Sequence, residues 1–151
     1  MAQSLAQIYL HIVFSTKNCY PWLKTKQIQR DVHAYLAATL NNMECPCLIA
    51  GGVADHVHIL CRLGRKITVA NLVRDIKKAS SSMLSDRGQT LRGFHWQNGY
   101  GAFSISPSHV QALTNYIDDQ EQHHQKETFQ DEFRRLLKKY GMEFDERYVW
   151  D

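Results

Sequence analysis

The segment Ile8 to Ser15, IYLHIVFS, is apolar on both faces when drawn as a strand. Successive side chains of a strand point to opposite faces. A strand of this kind belongs at the centre of a sheet, buried between layers. The chain must therefore build at least one further layer on this strand, and the remaining segments have to supply it.

Helix and strand signals alternate downstream. From about Lys26 to Leu40, the residues Ile28, Val32, Tyr35, Leu36 and Leu40 fall on one face at helical spacing, with Thr25 as N-cap and Asn41-Asn42 as the end. Cys47 to Ala50 and Val57 to Cys61 read as two strands of a hairpin. Between them, Gly51-Gly52 allows a bulge or a close backbone approach. A second helix is predicted from about Val69 to Ser85, with Val69, Leu72, Val73, Ile76, Ser80 and Met83 on its buried face. Gly88 and Gly93 break the chain, and Ala102 to Ser106 reads as a fourth strand. Pro107 sits where a helix begins, with Ser106 as its cap, so a third helix is expected over Ser108 to His124. A fourth is expected over Phe129 to Tyr140, stopped by Gly141. The tail from Met142 ends in aromatics, as a segment docking on the body or on a partner would.

The order β-α-β-β-α-β specifies an α+β fold: a ferredoxin-like, split βαβ antiparallel sheet with additional C-terminal helices. Helices on one face leave the other face to be covered by the extra helices, a second subunit or a ligand. A single domain is expected, with residues 1–106 as the core, 107–141 as the two following helices and 142–151 as a tail.

Composition narrows the function classes. The chain has 151 residues, 44% hydrophobic and 22% charged, which suits a soluble globular domain. No apolar stretch approaches the roughly 18 residues that a membrane span needs. The first residues lack the basic start and apolar block of a secretory signal, so a cytoplasmic location is expected. A net charge of +3 permits nucleic-acid binding without demanding it. Cys19, Cys45, Cys47 and Cys61 read as reduced thiols. Cys45-Pro46-Cys47 with Cys61 is a zinc alternative, but no second cysteine pair completes it.

Two constellations carry chemistry. In Asp55-His56-Val57-His58-Ile59-Leu60, the strand period puts His56 and His58 on one face, which is half a metal site or simply two hydrogen-bonded histidines. In Tyr116-Ile117-Asp118-Asp119-Gln120, residues four apart share a helix face, so the Tyr116 phenol and the Gln120 amide oxygen point into one space; His124 continues that stripe, beside His123. Alone, the second pattern is equally a surface Tyr/Gln pair. Together the two make sense. A phenol with a pKa of about 10 is a poor nucleophile at neutral pH. A divalent ion on two imidazoles and one amide oxygen, Mg²⁺ or Mn²⁺ for such a donor set, would polarise a phosphodiester for its attack.

At this point the sequence resembles the single-tyrosine HUH transposases of bacterial insertion sequences, the IS200-like transposase family, including the REP-associated tyrosine transposases. The resemblance runs through His11–Lys17, Gly51–Leu60, Ile76–Ser81, Trp96–Ser104 and Tyr116–Gln120 through His124, and the ordered set is far more specific than any one motif. It implies that His56 and His58 are metal ligands, that Gln120 is the third ligand, and that Tyr116 attacks single-stranded DNA and becomes joined to a 5′-phosphate. It also implies a homodimer in which the tyrosine helix can complete the neighbour's site, and DNA hairpins at element ends as partners. His124, one turn on, is an alternative or additional ligand. Asp55 has three candidate roles: capping the turn, touching the metal, or steadying His58.

Lys77 and Lys78 are candidates for phosphate contacts, or a solvated helix face. Trp96 and Tyr100 are candidates for stacking on unpaired bases, with core packing the alternative for Trp96. His11, His33, His95 and His109 have no assigned role. Two competing functions remain open: a domesticated REP-type nickase, and a non-catalytic ferredoxin-like nucleic-acid-binding module, although the aromatic-rich sheet motifs of the latter are not found.

Overall fold

The all-apolar first strand is realised as β1, Tyr9–Ser15, in which every residue after Tyr9 is buried. The structure is a computed structural model and describes residues 2–151. After β1 come α1 (Lys26–Asn42), β2 (Cys47–Gly52), β3 (His56–Arg62), α2 (Val69–Ser85) and β4 (Gly101–Ile105). The strands form one antiparallel sheet in the order β2-β3-β1-β4, the ferredoxin-like arrangement. Three more helices follow: α3 (Val110–Asp118), α4 (Gln120–His123) and α5 (Phe129–Lys139). Among the described residues, no helix is long and apolar enough to cross a membrane.

Strand alternation splits the sheet into two chemically different faces. Leu10, Ile12 and Phe14 of β1 and Val57, Ile59 and Cys61 of β3 join Val32, Leu36 and Leu40 of α1 and Leu72, Val73, Ile76 and Leu84 of α2 in the larger core. The opposite face carries His11, Val13, Ser15, His56 and His58, all buried. There Val13 and Phe103 pack with Phe129, Phe133, Leu136 and Leu137 of α5, and Phe144, Val149 and Trp150 of the tail close over that cluster. The tail thus docks on the body.

Local signals set most boundaries. Thr25, Thr68 and Thr128 each accept a hydrogen bond from the backbone N–H three residues on, capping α1, α2 and α5. Gly51 is where α3 lies on β2: a Cβ there would stand 2.8 Å from the Ile117 carbonyl oxygen. Gly52, with φ +152°, makes the tight return to β3.

Three expectations are corrected. Tyr35 is not on the buried face of α1; it is 39% exposed. Ser106 precedes a 3-10 turn, Pro107–His109, but its side chain makes no capping bond and its Oγ lies 2.6 Å from His109 Nδ1. The helix expected over 108–124 is three pieces, broken after α3 at Asp119, whose φ of −99° and ψ of 19° leave the helical region. Short acidic side chains compete with helical backbone bonding, and hydrophobic periodicity is blind to one residue's torsion.

Candidate active site

β3 places His56 and His58 side by side on the α5 face, each fully buried. Each imidazole is held from behind. His56 Nδ1 is 2.7 Å from Asp55 Oδ1. His58 Nδ1 is 2.8 Å from His11 Nε2, which comes from the neighbouring strand β1. His124 joins from the loop after α4, with Nδ1 2.6 Å from the Glu127 carbonyl oxygen. Anchoring one ring nitrogen fixes where the other points.

The three Nε2 atoms converge on one carboxylate oxygen, Glu132 Oε1 of α5: 3.2 Å from His56, 2.9 Å from His58 and 3.1 Å from His124. Gln120 brings its amide oxygen to 2.9 Å from His56 Nε2 and donates its amide N–H to Glu132 Oε2 at 2.9 Å. The Tyr116 hydroxyl also donates to Glu132 Oε2. Arg135, one turn further along α5, donates to the Tyr116 oxygen at 2.8 Å and grips Glu127 with two bonds, at 2.9 and 3.1 Å. The His123 ring lies against that of Tyr116, 4.5 Å between centroids.

The electrostatics follow from burial and partners. Burial alone would push the Glu132 pKa up, but hydrogen bonds from His124, His56 and His58 outweigh it and hold the carboxyl ionised far below its usual range. Burial would lower His56 too, yet Asp55 and Glu132 on either side raise it to about 9. His58 is lowered to about 4, by burial first and by the charges of His56 and His124. Burial raises the Tyr116 phenol well above its usual value; the Glu132 carboxylate adds to that and Arg135 opposes it. In this state the phenol is a held hydrogen-bond donor and a poor nucleophile.

The donor set fits a divalent cation. The ligand atoms of His56, His58 and Glu132 lie within 4.8 Å of one another, and no other such group of His, Cys, Asp or Glu occurs among the described residues. Gln120 and His124 add an oxygen and a third imidazole at the same point. Rear-anchored imidazoles are a usual feature of metal-binding histidines. The zinc alternative at Cys45, Cys47 and Cys61 is not assembled; burial pushes the Cys47 and Cys61 thiols up to about 11 and about 12, away from the thiolate that zinc needs.

Asp55 does not steady His58. It holds His56, its chain neighbour, because His58 Nδ1 is already taken by His11. Glu132, Arg135 and His11 escaped the sequence reading. A signal for Glu132 existed: in Phe129, Glu132, Phe133, Leu136, Leu137 an acid occupies the apolar stripe of an amphipathic helix, and charges at such positions are partnered.

The residues considered for DNA contact lie with α2, on the other side of the sheet. The Lys77 ammonium donates to the carbonyls of Gln97 and Gly99, both at 2.7 Å, and sits 5.0 Å from the Phe14 ring centroid. Trp96 is 5% exposed, edge-on to Phe14 and Phe94, with its indole N–H on Ser80 Oγ at 2.9 Å. Lys78 and Tyr100 are exposed and border a shallow groove with Arg74 and Asn98.

Comparison with known proteins bears on the family and the fold. The sequence profile described as "Transposase IS200 like" matches residues 4–120. The fold is similar to that of a transposase candidate from Deinococcus radiodurans R1: TM-score 0.62, 16% identity, over 80% of this chain and 95% of that one. It is similar also to a REP-associated tyrosine transposase solved bound to a REP hairpin: TM-score 0.59, 15% identity, over 82% of this chain and 74% of that one. No curated protein matches the sequence.

Proposed function

Because the chain belongs to the IS200-like transposase family, we propose that it cleaves and rejoins single-stranded DNA at hairpin-bearing ends through a covalent 5′-phosphotyrosine on Tyr116. One observation carries this reading: the Tyr116 hydroxyl, His56, His58 and Gln120 meet around a single buried carboxylate. The hairpin preference is carried over from the REP-associated relative, which was solved with one bound.

The chemistry is an exchange of phosphodiester bonds. The Tyr116 oxygen forms a new bond to phosphorus as the bond from phosphorus to the 3′-oxygen breaks. The phenol gives up its proton as it attacks and the released 3′-oxygen takes one up, so protons balance over the step; the ionised Glu132 orients the phenol by accepting its hydrogen bond. The reverse step, with a 3′-hydroxyl attacking and Tyr116 leaving, rejoins DNA without ATP. Arg135 holds the phenol oxygen from outside. His56, His58 and Glu132, with Gln120 and His124, would hold a divalent ion, which when bound offsets the charge of the attacked phosphate. Mn²⁺ or Mg²⁺ is the ion proposed; an imidazole-rich set with one carboxylate suits Mn²⁺ better than the oxygen-preferring Mg²⁺.

All these groups belong to one chain, so Tyr116 is proposed to act in cis. The homodimer implied by the family resemblance then serves to hold two DNA ends in the cytoplasm rather than to complete either site. Sedimentation with and without hairpin DNA measures it. The decisive experiment is a denaturing gel of labelled hairpin-bearing single strands with Mn²⁺ or Mg²⁺. A covalent adduct is expected with the natural protein and none with Tyr116→Phe, which should still bind. An undiminished adduct in that variant sinks the assignment; binding without cleavage in every divalent ion favours a non-catalytic module.

A further inference from the structure

Beside the Tyr116 phenol opens a cavity of about 530 Å³, walled by α3 and α5 and floored by β1 and β4. That volume is in the range of small-ligand sites, roughly 300–1,000 Å³. We propose that it is the subsite for the first nucleotide on the 3′ side of the cleaved bond, the one whose 5′-phosphate ends on Tyr116. This rests on the strand-cleavage reading above and adds a substrate subsite to it.

Stereochemistry selects which nucleotide. Phosphoryl transfer keeps attacking and leaving oxygens roughly in line. The strand released with the 3′-hydroxyl therefore departs on the side opposite the phenol, and the nucleotide retained beside Tyr116 is the one on the 3′ side. The cavity adjoins the Tyr116 phenol, where that retained nucleotide would lie.

Its lining has the character of a nucleotide site. Leu113, Leu136 and Tyr140 give it an apolar wall. The Tyr140 ring is held flat on Phe103, 4.4 Å between centroids at 11°, so the aromatic wall is pre-arranged. Arg135 stands at the inner end on the phenol, and Lys139, one turn along α5, stands exposed further out. An apolar wall bordered by cations matches a base next to a phosphate backbone.

A second observation is independent of these. His11 lines the cavity and is fully buried. Its Nε2 is committed to His58, and its Nδ1 has no hydrogen-bond partner. Buried polar atoms are rarely left without one. His11 borders the cavity, and a base edge bound there would offer Nδ1 that partner. α5, which builds one wall, lies beyond the matched residues 4–120, while His11, Ser104 and Tyr116 of the other walls lie within them.

The test uses the Tyr116→Phe protein, expected to bind without cleaving, and hairpin strands carrying 2-aminopurine at one position at a time. The cleavage position is read from the adduct formed by the natural protein. A fluorescence change is expected at the first nucleotide 3′ of that position and lost on adding Ala112→Trp, which fills the cavity. In the natural background, an abasic site at that nucleotide should raise KM roughly tenfold, the size of one lost stacking contact. Lys139→Ala, an exposed change that leaves folding alone, should raise KM more than it lowers kcat. Adduct formation that is indifferent to the abasic site, with a flat 2-aminopurine scan, overturns the subsite while leaving the transposase reading intact. Absence of any adduct with the natural protein counts against the transposase reading instead. The subsite, defined by the cleaved bond, then falls with that reading.

Discussion

At the scale of single residues, Glu132 organises the site. A fully buried carboxylate is costly unless its oxygens are matched, and here three imidazoles, an amide and a phenol match them. Glu132→Ala should weaken Mn²⁺ binding by at least about tenfold by calorimetry, since loss of a mere outer partner of a ligand already costs about that much and this variant removes the one carboxylate of the donor set. An unchanged affinity would place the ion elsewhere. The same variant should lower the stability of the metal-free protein by about 3–5 kcal/mol, because the histidines lose their shared partner. His33 allows a separate test. Burial first, and then the charge of His56, lower its pKa from 6.5 to about 4, and its Nε2 has no partner. A depressed histidine pKa means that the unfolded chain takes up the proton first. The stability that neutral His33 contributes is therefore complete above pH 6.5 and is lost as pH falls towards about 4. His33→Leu should flatten this acid limb by at most about 3 kcal/mol. A parallel acid limb in urea titrations of both proteins would refute it.

At the scale of elements, the site depends on how closely α3 lies on β2. Gly51 makes that possible, since any side chain there meets the Ile117 backbone. Gly51→Ala should cost about 1–3 kcal/mol, the usual range for overpacking, and should reduce adduct formation by shifting Tyr116 away from Glu132. An unaltered melting temperature would show that α3 can move outward freely. α5 illustrates what helical periodicity can and cannot reveal. Its apolar stripe and boundaries were readable from Phe129 to Gly141, while the acid within that stripe signalled a buried partner without saying which. The reading of 108–124 as one helix failed at its start, a 3-10 turn, and again at Asp119, where the break separates the helix of Tyr116 from the turn of Gln120.

At the scale of the whole molecule, one sheet is shared by two cores, the α1–α2 core on one face and the α5–tail cluster on the other. β1 contributes alternate residues to both. Neither face can be lost without exposing the other side of the same strands, so the chain should unfold in one cooperative transition. Far-ultraviolet dichroism and tryptophan fluorescence should give the same urea midpoint; Trp150 reports on one side and Trp96 on the other. Two separated midpoints would mean that the α5 layer opens independently. The order of strands and helices, the central position of β1 and the shared face of His56 and His58 were legible from the chain, because alternation and helical spacing are local and each follows from a few consecutive residues. Tertiary structure alone decided that Glu132, Arg135 and His11 join them. Glu132 lies 74 residues from His58, and which face of the sheet α5 crosses depends on packing among distant segments, which no local period encodes.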